Sequence, residues 1–91
     1  MEEKFLQEAA ICREKALSLG VRIRPIEDIK AARRILSGHR ESDGFFQLAD
    51  NGRLDLSLEA LAVKKAYTAL FSDEEANAAL IRLLDAGYKF A

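Results

Sequence analysis

The chain has one cysteine, one proline, one histidine, no tryptophan and no long apolar run. Each scarcity removes a class of protein. A lone Cys12 has no partner for an internal disulfide and suits a reducing compartment, so a cytosolic location is expected. One histidine and one cysteine, far apart in sequence, do not supply the three or four ligands of a zinc site. One proline and five glycines are few for an all-β domain, which needs a turn every eight to twelve residues or so. No apolar stretch approaches the roughly 20 residues of a membrane span, and Met1-Glu2-Glu3-Lys4 opens on acids. Neither a signal peptide nor membrane association is expected. Fourteen basic against fifteen acidic side chains give a net charge of −1, so no overall field drives the chain to nucleic acid. The pairs Gly38/Gly44 and Gly44/Gly52 match no phosphate-loop pattern, so no nucleotide cofactor is expected.

What is present is helix-forming material. Apolar residues make up 49% and charged residues 32%, enough to build a core and solubilise its surface. Alanine, leucine and glutamate are the commonest residues, and with the lysines they favour helices. The expectation is a single all-α domain over residues 1–91, a bundle of four or five helices.

Local signals place these helices. Phe5, Ala9, Cys12, Ala16 and Leu19 recur in steps of four and three, predicting an amphipathic helix over 2–19 that Gly20 ends. The same spacing resembles a short coiled-coil seam, so packing inside its own domain competes with a homodimer through helix 2–19. Pro25 fits the first turn of a second helix, 26–37, burying Ile26, Ile29, Ala32, Ile35 and Leu36. Residues 45–58 read two ways. Asp50-Asn51-Gly52-Arg53 is a hairpin signal between two apolar stretches, whereas Ser42 or Asp43 can cap a short helix that ends at Asn51-Gly52. The short helix is preferred, because a lone hairpin needs something to pack on and its neighbours are helices. A central helix is expected from Leu58 to Phe71. The last helix carries a capping box, Ser72 with Glu75, and a glycine stop at Gly87, with Leu80, Leu83 and Leu84 facing inward.

Chemistry is sparse. His39, Ser42 and Asp43 have the residue types of a hydrolytic triad, but three members within five residues cannot easily adopt its geometry. A capping role for Ser42 or Asp43 is simpler. Asp73-Glu74-Glu75 reads as charge favoured at a helix start, not as a metal cluster. Cys12 falls on an apolar stripe and reads as a small hydrophobe. The one charge imbalance is Arg22, Arg24, Lys30, Arg33, Arg34 and Arg40 against only Glu27 and Asp28. Beside it lie Phe45 and Phe46, of which only one can face fully inward. The sequence therefore predicts no enzyme but an interaction or adaptor module. Its partner-binding residues are Arg33, Arg34, His39, Arg40 and Phe45 or Phe46, and its partner is an acidic protein surface. The alternative is a small nucleic-acid-associated regulator using the basic helix 26–37.

Overall fold

The computed structural model describes residues 2–89; Met1, Phe90 and Ala91, which the 1–91 expectation includes, lie outside the described residues. Five α-helices account for most of it: α1 (Glu2–Ser18), α2 (Ile29–Ser37), α3 (Phe45–Asp50), α4 (Leu58–Ala62) and α5 (Asp73–Asp85). Two 3₁₀ segments, Leu54–Leu56 and Lys65–Leu70, flank α4. The all-α expectation holds, and the described residues contain no strand. Among them no helix is long and apolar enough to cross a membrane.

α4 is the hub. Every one of its five residues is buried, and it packs against α1 and α5 while α5 also receives α2. Four of its five residues are apolar, and a helix of that composition belongs in a core. The helix expected to run on to Phe71 stops here. Its next turn would carry Lys64 and Lys65 into the interior, so the chain extends at Lys64 (φ −64, ψ 137) and resumes as the 3₁₀ segment. That break leaves both lysines exposed and turns Tyr67 inward, where its ring meets Phe5 edge-on at 5.1 Å. Phe71 completes the aromatic group at 5.3 Å from Phe5.

The helix ends follow local chemistry. The α1 stop is closed by Val21 donating its N–H to the Ala16 carbonyl at 2.9 Å, with Gly20 left-handed. α2 begins at Ile29 rather than 26, because the Asp28 carboxylate caps the Ala31 N–H at 2.8 Å; Pro25 lies in the irregular connection before it. Residues 45–58 form the short helix and not the hairpin, with Ser57 capping α4 through the Ala60 N–H. The cap of α3 is neither Ser42 nor Asp43 but Gly44, in a left-handed conformation with no side-chain bond. The α5 capping box is complete in both directions, and Tyr88 N–H closes its far end on the Leu83 carbonyl at 2.9 Å. Leu84 departs from expectation: it is exposed, while Leu83 is fully buried.

The α1 stripe faces its own fold. Phe5 and Ala16 are fully buried and Ala9 and Cys12 partly so. Leu19, the last residue of the stripe, stays exposed, as do Ile11 and Leu17 of α1.

Candidate functional site

Two arrangements surround the connection between α2 and α3, residues 38–44. The first is a buried polar network. Glu59, fully buried in α4, accepts the Ser42 N–H at 2.9 Å, the Ser42 hydroxyl at 2.5 Å and the Arg82 guanidinium at 3.3 Å. Arg82 reaches further, donating to the carbonyls of Leu36 at 3.1 Å and Gly38 at 2.6 Å. One guanidinium from α5 thus satisfies carbonyls left open at the end of α2 and a buried carboxylate at once. The network fixes both ends of the connection.

The second is a groove of about 1010 Å³, open along one side, between α1, the irregular segment 21–27, α2 and the 38–44 connection. Its apolar lining includes Leu6 and Ala9 of α1, Ile26, Ile35 of α2, and Leu58 and Leu61 of α4. Arg13, Arg34, His39 and Arg40 line it as well, against the acids Glu41 and Asp43. Asp43 is already neutralised. Arg24 grips it with two guanidinium bonds of 2.8 and 3.2 Å, and that guanidinium holds the carboxyl below the ordinary aspartate range. The pair also ties segment 21–27 to the connection. Arg13 adds a second tie by donating to the Ile23 carbonyl at 2.7 Å.

The residues predicted to bind a partner separate into three groups. Arg34, His39 and Arg40 line the groove, are exposed and make no side-chain ion pair among the described residues. Arg33 turns away and pairs with Glu75 at 3.0 Å, joining α2 to the start of α5. Phe45 is buried in the core, whereas Phe46 is 63% exposed and lies outside the groove lining, stacked edge-on against Phe45 at 5.5 Å. One of the two adjacent rings faces inward, as expected, but the outward one does not join the arginines.

The triad residue types do not meet. Ser42 is held by Glu59 and Asp43 by Arg24, and no side-chain hydrogen bond reaches His39 among the described residues. Cys12 sits partly buried between the groove and a smaller cleft of about 310 Å³, and burial raises its thiol pKa. Sequence reasoning missed Glu59 and Arg82, yet a signal existed. Each is a lone charge within an apolar run, Leu58-Glu59-Ala60-Leu61-Ala62 and Leu80-Ile81-Arg82-Leu83-Leu84. Isolated opposite charges on two buried helices are expected to find each other. No family model, curated protein or solved structure matches the chain.

Proposed function

We propose that this chain is a non-enzymatic interaction module whose partner presents an acidic protein surface to the groove. The observation that carries this reading is the placing of Arg34, His39 and Arg40, which have no ion-pair partner among the described residues, beside the partly exposed Leu6, Ile26 and Ile35. The commitment of Ser42 to Glu59 and of Asp43 to Arg24 supports a role without catalysis. A single cysteine, with no partner for an internal disulfide, suits the cytosol. The nucleic-acid alternative is weaker. Arg33 is spent on Glu75, and the one exposed aromatic of α3 stands outside the groove, so bases have no stacking platform beside the cations.

The test is cross-linking in host cells followed by recovery with and without nuclease, comparing the wild type with Arg34→Glu/Arg40→Glu. The expected result is a protein partner that resists nuclease, contacts the module through an acidic segment and disappears in the variant. Recovery of nucleic acid, or a partner set unchanged by the variant, would overturn the proposal.

A further inference from the structure

We infer that the groove is built for one amphipathic α-helix of a partner protein, apolar along the face that enters and acidic along its flank. This deepens the interaction reading above and rests on it. Three observations narrow the occupant. The groove is partly open to solvent rather than enclosed. A macromolecular segment needs only one face covered. Second, the described residues hold no strand, and hence no sheet edge to which an extended peptide could add. Two of the walls are the helices α1 and α2, which suit a helix laid in the groove between them.

Third, the chemistry of the groove is that of the complementary helix. Leu6, Ile26 and Ile35, each partly exposed, supply the apolar lining above the buried Leu58 and Leu61, and the α1 wall from Leu6 to Arg13 is about 10 Å long at 1.5 Å per residue. That accommodates about two turns, with apolar anchors at i, i+3 or i+4, and i+7. The charge of the lining runs against that of the chain. Four arginines face two carboxylates in the groove, although the whole molecule has a net charge of −1. With Asp43 occupied by Arg24, the guanidiniums of Arg34 and Arg40 and the His39 ring are free to take carboxylates flanking the entering face.

The experiment is a display selection of random peptides, long enough for about three to four helical turns, against the full chain. Enriched peptides are then measured for affinity and mapped by amide shifts on the labelled protein. The expected winners are net negative, carry apolar residues at helical spacing, gain helicity on binding and shift resonances of Ile26, Ile35 and Leu58. Arg34→Glu/Arg40→Glu should weaken them by about tenfold or more, with a steep salt dependence. Lys65→Glu/Lys89→Glu, an equal change of charge outside the groove, should alter binding by less than about twofold. Thermal melts of both variants establish that they fold. Winners that bind the groove without helical spacing or acidic flanks would overturn this inference while leaving the interaction module in place. Winners that map elsewhere, or a selection that enriches nothing, would overturn both.

Discussion

Glu59 and Arg82 are the residues on which the geometry of the connection most depends. Their side chains are 0% and 10% exposed, so neither charge has water to fall back on. Removing one partner of a buried pair costs about 3–5 kcal/mol, because the other charge stays behind uncompensated. Arg82→Met should therefore lower the unfolding free energy by roughly that amount in urea titrations at neutral pH. Glu59→Leu combined with Arg82→Met should recover part of the loss, since an apolar pair avoids the desolvation cost but cannot cap Leu36 and Gly38. An Arg82→Met variant within about 1 kcal/mol of the wild type would show that the network contributes little. Residue identity also explains what could be read in advance. Ser72, Glu75, Gly20 and Gly87 act on neighbours within one turn, so their roles are legible in sequence order. Glu59, Ser42 and Arg82 meet only after three separate elements have packed, and no local code announces that.

At the level of elements, the irregular segment 21–27 is the wall of the groove with least structure of its own. Arg24–Asp43, the Arg13 bond to Ile23 and close packing at Gly44 hold it. Gly44 has φ +73, and a Cβ there would lie 2.6 Å from Val21 Cγ1 and 3.2 Å from Ile23 Cγ1. Gly52 has a similar φ of +68 with nothing within 4 Å. The two positions separate backbone strain from collision. Gly52→Ala should cost only the left-handed penalty, about 1–2 kcal/mol. Gly44→Ala should cost more and push segment 21–27 off the connection, so tryptic cleavage after Arg22 should accelerate in that variant alone. Equal cleavage in the two variants would mean that Gly44 does not set the wall. The segment shows why helix boundaries were harder to read than helix existence. Pro25 and Asp28 both signal a helix start, and the carboxylate wins because it satisfies the Ala31 N–H directly. Leu58 to Phe71 likewise carries a continuous helical pattern, broken only because two lysines cannot follow Ala62 into the core.

The whole molecule has a Cα radius of gyration of 11.8 Å, close to the roughly 12 Å of a compact chain of this length. Its stability should depend on acid in a defined direction. Burial raises the Glu75 carboxyl, but the Ser72 N–H and the Arg33 guanidinium more than offset this and leave it below the ordinary range. Arg24 lowers Asp43, and Tyr67 and Lys64 together lower Glu8 against the smaller effect of burial. Carboxyls depressed in the folded state stabilise it fully above their unfolded pKa, near 4, and lose that contribution as pH falls through the folded values. Melting temperatures should therefore drop as pH is lowered from about 5 toward 3, and Glu75→Gln should flatten part of the fall. A melting temperature that rises over that interval would refute the assignment. Composition made the all-α class legible, and part of the excess of arginine over acid between residues 22 and 40 lies along the groove. The apolar lining between those arginines was not legible, because Leu6, Ile35 and Leu58 come from three helices that only the fold brings together. The long reach of Arg82 also sets an order of events during synthesis. The connection bearing His39 and Arg40 is anchored by a side chain more than forty positions downstream, so a nascent chain has no finished groove until α5 has left the ribosome and docked. The proposed docking surface is thus among the last parts of the molecule to mature, and a chain truncated before α5 would display those arginines on an unanchored connection.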